Sequence, residues 1–229
     1  MPKYTYLLFD ADDTLLDFGR NGTRAFTMLC AKYHFPCTAE SRDLFESFNQ
    51  PLWRKLEQGL VTKEFLKIER FRLFLDALHR SEDPAAVNAD FLTFLGNSSF
   101  LTPHAEEVCR TLSQNHELYI LTNSVESVHT NRMRQSLLAP YIKGSFVSEC
   151  IGYEKPNKFY FDYVFSHIPG ITKENCLLIG DSLTSDMQGG INAGIPVCWY
   201  NPGRQKVPGT LPLDYVISDL LELPPLVGE

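Results

Sequence analysis

The sequence predicts an α/β fold: a doubly wound, mostly parallel sheet with an inserted all-helical cap domain. Three observations indicate it. Aromatic and aliphatic residues at 4–9 are typical of a strand buried on both faces of a parallel sheet. Residues 20–95 have helical periodicity without a convincing strand. From residue 97 onward, apolar runs alternate with helical segments, as βαβ units do.

The helical block is most economically an insertion after the first strand. We therefore expect a core formed by residues 1–18 and 97–229 and a cap formed by residues 19–96. At 229 residues the chain exceeds the usual size of a single domain. A cap inserted there would cover the carboxyl edge of the sheet, where open α/β folds bind ligands.

Within the cap, two periodic sets of residues mark helix faces. They are Phe26, Leu29, Cys30 and Tyr33 in one helix and Phe65, Ile68, Arg72 and Leu75 in another. The last cap helix has clear ends, because Asp83 is a good N-cap, Pro84 suits the first helical position and Gly96 follows as a stop. We interpret the phenylalanines of the cap as a helix-packing core.

The remaining elements follow in a regular order. The sequence predicts a helix from Thr102, the strand "ELYILTNS", a helix from about Val125, the strand "SFVSE", a helix from about Lys158, the strand "NCLLIGDS", a helix through Gln188 and the strands "IPVCWY" and "DYVIS".

Charge and cysteine content restrict the function. The formal net charge is −7, and no run of Lys or Arg provides the basic face that a nucleic-acid polymer needs. A small phosphorylated ligand is compatible, because one metal ion and one lysine can reverse the potential locally. The six cysteines lack CxxC spacing, and no segment is long enough to cross a membrane. We expect a cytoplasmic protein with reduced thiols, a monomer or small homo-oligomer.

Four polar features fall just after predicted strands. They are Asp10 with Asp12, the string "TNS" at 122–124, Lys155 in "GYEKPNK" and "GDSLTSD" at 180–186. The carboxyl ends of parallel strands share one edge of a sheet, so all four should meet there. Asp10 and Asp12 are separated by one residue, and their carboxylates would repel each other if both were ionised.

The strings "FDADDT", "ILTNS", "EKPNKFYF" and "IGDSLTSD" resemble, in order, the four motifs of the haloacid dehalogenase-like (HAD) superfamily. The resemblance covers essentially the whole chain. It implies that Asp10 is a nucleophile that attacks the phosphorus of a monoester to form an aspartyl-phosphate. Asp12 would be the general acid and then the base that activates water, a division that separated pKa values allow in paired carboxylates.

The resemblance also implies a magnesium site and a phosphate site. The Asp10 carboxylate, the Asp12 main-chain carbonyl and Asp181 would hold Mg²⁺, and Asp186 would steady or complete this shell. The phosphoryl oxygens would be bound by Thr122, Asn123 and Lys155, and Lys155 would also hold the nucleophile.

Within the superfamily, "DADDTLLDF" together with "PLW" at 51–53 is similar to the pyrimidine 5'-nucleotidase branch with a helical cap. The resemblance implies hydrolysis of pyrimidine (deoxy)nucleoside monophosphates such as those of uridine and thymidine. Trp53 is the cap residue that we name as a candidate ligand of the base. The alternatives are a sugar-phosphate phosphatase or phosphomutase of the same superfamily and a catalytically silent binding or scaffold protein.

Other polar residues near these motifs have simpler interpretations. Ser182 and Thr184 are expected to cap a helix. Asp17 is expected to be structural, and Asp13 is equally compatible with a structural and a functional role.

Overall fold

The computed structural model describes residues 3–207 and 209–229. Its strands are β1 (Tyr6–Phe9), β2 (Glu117–Thr122), β3 (Ile142–Val147), β4 (Cys176–Gly180), β5 (Val197–Tyr200) and β6 (Tyr215–Ile217). They form one sheet in the order β3-β2-β1-β4-β5-β6, with every neighbouring pair parallel. The first strand therefore lies in the middle of the sheet.

Helices cover both faces of the sheet and the edge above it. Before β2 lie α1 (Phe18–Tyr33), α2 (Ala39–Glu57), α3 (Lys63–Ala77), α4 (Pro84–Gly96) and α5 (Ala105–Leu112). The later helices are α6 (Glu126–Gln135), α7 (Ser148–Ile151), α8 (Lys158–His167), α9 (Gln188–Ala193) and α10 (Leu223–Val227). Short 3₁₀ helices at Ala139–Tyr141 and Leu220–Glu222 and a π-helical turn at Leu183–Met187 complete the regular elements of the described chain.

The predicted fold class is confirmed. All four residues of β1 are buried, because its side chains alternate between two apolar clusters. Leu7 and Phe9 pack in the cluster that contains residues of α5 and α10, whereas Tyr6 and Leu8 pack with residues of α8 and α9. This two-sided burial explains the unbroken apolar run at the start of the chain.

Helices α1–α4, which we call the cap, enclose a core rich in phenylalanine. The rings of Phe45 and Phe71 lie 5.1 Å apart between centroids, and Phe26, Phe74 and Phe91 belong to the same cluster. Val125 and Val128 at the start of α6 join this cluster and connect the cap to the sheet layer. The interpretation of the cap phenylalanines as packing residues is confirmed for this cluster but not for Phe65, which is exposed. The exact domain boundaries after residues 18 and 96 stay a prediction.

Of the predicted α3 face formed by Phe65, Ile68, Arg72 and Leu75, only Leu75 is buried in the core of the cap. Phe65 and Ile68 are 50% and 40% exposed, whereas Leu66 and Arg70 are buried. The buried side of this helix faces the apolar core of the cap and includes Arg70. Because Arg70 is charged, a search for apolar periodicity does not recognise this side.

Several element ends follow the predicted chemistry and others do not. Asp83 caps α4 and Asp17 caps α1, each by accepting a backbone N–H bond. Helix α5 begins at Ala105 rather than Thr102, because the Thr102 hydroxyl donates to the Thr14 carbonyl at 2.7 Å and ties this segment to the loop after β1. Among the helices of the described residues, none is long and apolar enough to span a membrane.

Candidate active site

The sheet order brings the predicted site residues to one edge. Asp10 follows β1, Thr122 ends β2 and Asp181 follows β4, and β1 lies between the other two strands. The backbone N–H of Asp10 donates to the carbonyl of Ile179 at 2.8 Å, which holds the start of its loop against β4. Three strands of one parallel sheet thus present their polar residues side by side.

Lys155 is the buried cation of this edge. Its Nζ donates to Asp10 Oδ1 at 2.6 Å, to Asp186 Oδ1 at 2.6 Å and to the Leu121 carbonyl at 2.7 Å. Burial by itself lowers the pKa of Lys155, but the carboxylates of Asp10 and Asp186 outweigh burial and raise the pKa. All three N–H bonds are engaged. Direct phosphate binding by Lys155 would therefore require the exchange of one of these bonds.

Three carboxylates surround this lysine. Oxygens of Asp10, Asp181 and Asp186 lie within 4.8 Å of one another. Burial, together with the charge of Asp186, raises the pKa of Asp10 and raises that of Asp181 to about 8. Clustered, desolvated carboxylate oxygens are the donor set that a hard divalent cation prefers.

The close approach of Asp186 depends on a glycine. A Cβ atom on Gly180 would lie 2.3 Å from Asp186 Oδ2, so a larger residue there would displace the carboxylate. The same oxygen accepts a bond from the Ser182 backbone N–H at 3.1 Å. Asp186 is therefore fixed by Lys155, by Ser182 and by the absence of a side chain at Gly180.

Asn123 and Thr122 lie beside Lys155. Asn123 makes two reciprocal bonds with the Lys155 backbone: its Oδ1 accepts from the N–H and its Nδ2 donates to the carbonyl, both at 2.9 Å. The side chain of Asn123 thus positions the lysine loop. The Thr122 hydroxyl accepts from the Ser124 N–H at 3.1 Å and keeps its own proton for donation. Their roles as phosphate ligands stay predictions.

Asp12 is bound by a residue that the sequence did not indicate. Arg132 on α6 donates from one guanidinium nitrogen to Asp12 Oδ1 at 2.5 Å, and its side chain is buried. Burial lowers the pKa of the neighbouring His129 to about 4, so Arg132 rather than His129 supplies the positive charge next to Asp12. In the sequence, Arg132 resembles an ordinary charge in the last turn of a helix, and no motif distinguishes it.

A cavity of about 600 Å³ separates this edge of the sheet from the cap. Its lining includes Asp10, Asp12, Thr122, Lys155 and Asp181 from the core and Asn49, Trp53, Glu57 and Arg70 from the cap. The volume is within the range of small-molecule sites. The predicted residues therefore share one cavity with cap residues that no predicted motif contains, except for Trp53.

The cap is bound to the core beside the cavity. The Thr184 hydroxyl donates to Glu57 Oε2 at 2.9 Å, so the expectation that Thr184 caps a helix is wrong, whereas Ser182 does cap the π-helical turn. On α3, Lys63 donates to the Ser148 hydroxyl at 2.6 Å. These contacts hold the cap close to the carboxyl edge of the sheet.

The structure combines a parallel sheet, a helical cap and a buried cluster of carboxylates at the edge of the sheet that the cap covers. A family model described as haloacid dehalogenase-like hydrolase matches residues 4–194. The chain belongs to this family, and the resemblance drawn from its four motifs is confirmed.

Individual relatives refine this assignment. The HAD-hydrolase YfnB of Bacillus subtilis (strain 168) is 39% identical over 224 residues, which are 97% of this chain and 95% of YfnB. The pyrimidine 5'-nucleotidase PynA of Streptococcus pneumoniae is 34% identical over 87% of this chain and 84% of PynA. The pyrimidine 5'-nucleotidase YjjG of Escherichia coli is 28% identical over 98% of each chain.

A crystal structure of YfnB bound to magnesium is similar along the whole chain. Its TM-score is 0.94 at 36% identity, and the match covers 99% of this chain and 100% of YfnB. The relatives together support a phosphatase enzyme of the nucleotidase-like branch of the family.

Proposed function

We propose that the protein is a magnesium-dependent phosphomonoesterase that acts through an aspartyl-phosphate, a 5'-nucleotidase for pyrimidine (deoxy)nucleoside monophosphates. The observation that supports the chemistry best is the 2.6 Å bond from Lys155 Nζ to Asp10 Oδ1. One carboxylate oxygen of Asp10 is held by this bond, which leaves the other oxygen to react. The substrate class rests on the two relatives named pyrimidine 5'-nucleotidase.

The reaction has two displacements at phosphorus. In the first, an Asp10 oxygen forms a bond to phosphorus while the bond from phosphorus to the 5' oxygen breaks, and Asp12 donates a proton to the leaving oxygen. In the second, Asp12 takes a proton from a water molecule that attacks the aspartyl-phosphate, which releases inorganic phosphate and restores Asp10. Arg132 would hold the Asp12 carboxyl group from the α6 side in both displacements.

The proposed phosphate site uses the residues around Asp10. Thr122 and Asn123 would face the phosphoryl oxygens from the end of β2, and the charge of Lys155 would stabilise the negative charge that develops there. Asp10, Asp181 and Asp186, with the main-chain carbonyl of Asp12, would hold Mg²⁺. When bound, the cation would neutralise part of the charge on the carboxylates and on the phosphate.

The test is phosphate release, with and without magnesium, from UMP, dUMP, dTMP, purine nucleotides and several sugar phosphates, with Asp10→Asn as the blank. We expect selective release from the pyrimidine nucleotides, lost in the variant and in EDTA. Preference for sugar phosphates would discard the nucleotidase and keep the phosphatase. Conversion of a sugar phosphate without release of phosphate would indicate a mutase, and no turnover of any substrate would indicate a binding protein.

A further inference from the structure

Arg70 is a buried guanidinium in the cap wall of the cavity. Its side chain belongs to α3, the whole residue is 3% exposed, and it lines the same cavity as Asp10 and Lys155. The guanidinium carbon lies 5.2 Å and 5.1 Å from the ring centroids of Phe71 and Phe91. These two rings restrict its position through cation–π contacts.

The hydrogen bonds of Arg70 do not use its full capacity. One terminal nitrogen donates to Asn49 Oδ1 at 3.2 Å and the other donates to Asn88 Oδ1 at 2.7 Å, and both acceptors are neutral amides. Over the part of the chain that the structure describes, the Nε atom has no hydrogen-bond partner and no carboxylate forms an ion pair with Arg70. An arginine has five N–H bonds, so donors are left for a ligand.

The charge of Arg70 persists despite burial. Burial lowers its pKa to about 10, and Glu46 opposes this shift from a distance. The Glu46 carboxylate instead accepts a bond from Asn49 Nδ2 at 3.0 Å. A buried cation without a carboxylate in contact is costly for a fold to keep, which indicates that a further acceptor, besides Asn49 and Asn88, is supplied by something other than the chain itself.

The cap residues beside Arg70 indicate what kind of ligand would carry that acceptor. Trp53 follows Asn49 by four positions on α2, so both lie on the same face of the helix, and both line the cavity. An indole ring presents a flat apolar surface, whereas a guanidinium can only donate hydrogen bonds. Trp53 and Arg70 together therefore suit a planar ring that carries an acceptor oxygen in its plane.

We propose that Arg70 determines substrate specificity by donating a hydrogen bond to a ring carbonyl oxygen of a pyrimidine base, with Trp53 covering one face of the ring. This inference rests on the proposed function and assigns its base subsite. Uracil and thymine present carbonyl oxygens at C2 and C4, adenine presents none, and the phosphates of uncharged sugars such as ribose present hydroxyl groups instead. Arg70 therefore separates these substrate classes.

The experiment compares the wild type with Arg70→Gln, and uses Arg72→Gln as the matched control. Arg72 lies on the same helix but is exposed and paired with Glu69 and Asp76. The substrates are UMP, its 2-thio and 4-thio analogues, ribose 5-phosphate and 6-phosphogluconate. We measure kcat and KM for each substrate and the product inhibition by uridine, and circular dichroism confirms folding.

In Arg70→Gln we expect kcat/KM for UMP to fall about 10- to 100-fold, mainly through KM, as for a lost bond to a charged donor. Inhibition by uridine weakens in parallel, while ribose 5-phosphate changes by no more than about twofold. The wild type discriminates against one thio analogue, because sulfur is a weaker acceptor, and Arg70→Gln loses that discrimination. The control keeps the wild-type pattern.

Several outcomes would overturn the inference. An equal loss on UMP and ribose 5-phosphate makes Arg70 a structural residue while the proposed function stands. A selective loss on 6-phosphogluconate makes a carboxylate the ligand of Arg70. If Arg70→Gln does not fold, the wild type decides, because equal turnover of UMP and both thio analogues excludes the bond. A wild type that releases phosphate but never from pyrimidine nucleotides refutes the proposed function itself.

Discussion

The buried cations Lys155 and Arg70 line the same cavity, one from the core and one from the cap, and their surroundings differ. Lys155, on the core side, contacts two carboxylates at 2.6 Å and a backbone carbonyl, so every one of its N–H bonds is used. Arg70, on the cap side, contacts two neutral amides and keeps donors in reserve. We call Lys155 with Asp10 and Asp186 the core wall, and Arg70 with Asn49 and Asn88 the cap wall. The N–H groups of Lys155 are all bonded within the chain, whereas Arg70 has N–H groups left for a substrate.

This difference matches the two functions that we propose for the cavity, chemistry on the phosphate at the core side and recognition of the leaving group at the cap side. Chemistry on the phosphate requires Asp10 in one position whatever the leaving group, so a network within the chain holds it. Recognition of the leaving group requires unsatisfied donors that only the correct substrate satisfies. The following predictions test this comparison, beginning with the core wall, where we expect the largest effects.

Replacement of the proposed nucleophile should have the largest effect. In Asp10→Asn the shape and the contact with Lys155 are retained but the attacking oxygen is lost, and phosphate release should fall by roughly four orders of magnitude or more. Single-turnover phosphate release measures this. Asp17→Asn is the control, because asparagine also caps helices well, and should keep wild-type activity. Residual activity close to the control would place the chemistry elsewhere.

Removal of the Lys155 charge should destabilise the protein as well as inactivate it. In Lys155→Met, Asp10 and Asp186 stay buried without their partner, so the free energy of unfolding should fall by about 3–5 kcal/mol. Urea denaturation monitored by circular dichroism measures it. The exposed pair of Lys158 and Asp162 supplies the control, since Lys158→Met should cost less than about 1 kcal/mol. Equal losses would mean that the core wall is not held by Lys155.

The clustered carboxylates of Asp10, Asp181 and Asp186 should bind Mg²⁺. At a magnesium concentration about 100 times its Kd, the native state should gain about 2.7 kcal/mol and melt at a higher temperature. In Asp181→Asn this shift should be greatly reduced, because one of the three clustered carboxylates is lost. Thermal melting with magnesium and with EDTA measures both proteins. An unchanged shift in the variant would exclude Asp181 as a ligand.

Arg132 should act on catalysis by positioning Asp12. In Arg132→Leu the bond to Asp12 Oδ1 is lost, and we expect kcat to fall by about tenfold, or about 1.4 kcal/mol in the barrier, with KM nearly unchanged. Steady-state kinetics on the best substrate separate the two constants. Arg134→Leu, at an exposed position of the same helix, is the control. A rise in KM alone would instead indicate a contact with the substrate.

The smallest expected effect lies where the two walls meet. Thr184→Val keeps the shape of the side chain but removes the bond to Glu57, which is worth about 1 kcal/mol, so KM should rise about three- to tenfold through weaker closure of the cap. Thr130→Val, on α6 away from the cap contact, should leave KM unchanged. Equal KM values in both variants would show that this bond does not contribute to closure.

Most of the core wall could be predicted from the sequence. Asp10 and Asp181 directly follow the buried strands β1 and β4, and parallel pairing brings strand ends together whatever the details of packing. Lys155 and Asp186 lie several residues beyond the ends of β3 and β4, after α7 and in the π-helical turn. Asp10, Lys155, Asp181 and Asp186 were therefore named correctly as neighbours. The cap wall could not be predicted in the same way, because its buried face on α3 contains a charged residue, which hydrophobic periodicity does not recognise.

By itself, the sequence determined the parallel sheet, the helical insertion and the set of acidic residues at one edge, because these depend on local periodicity and on the order of strands along the chain. Only the tertiary structure decided that Arg132 binds Asp12, that Thr184 binds Glu57 and that Arg70 faces the cavity without a carboxylate. The first two contacts join residues 120 and 127 positions apart. Such pairings depend on how helices pack across the sheet edge, which no local pattern encodes.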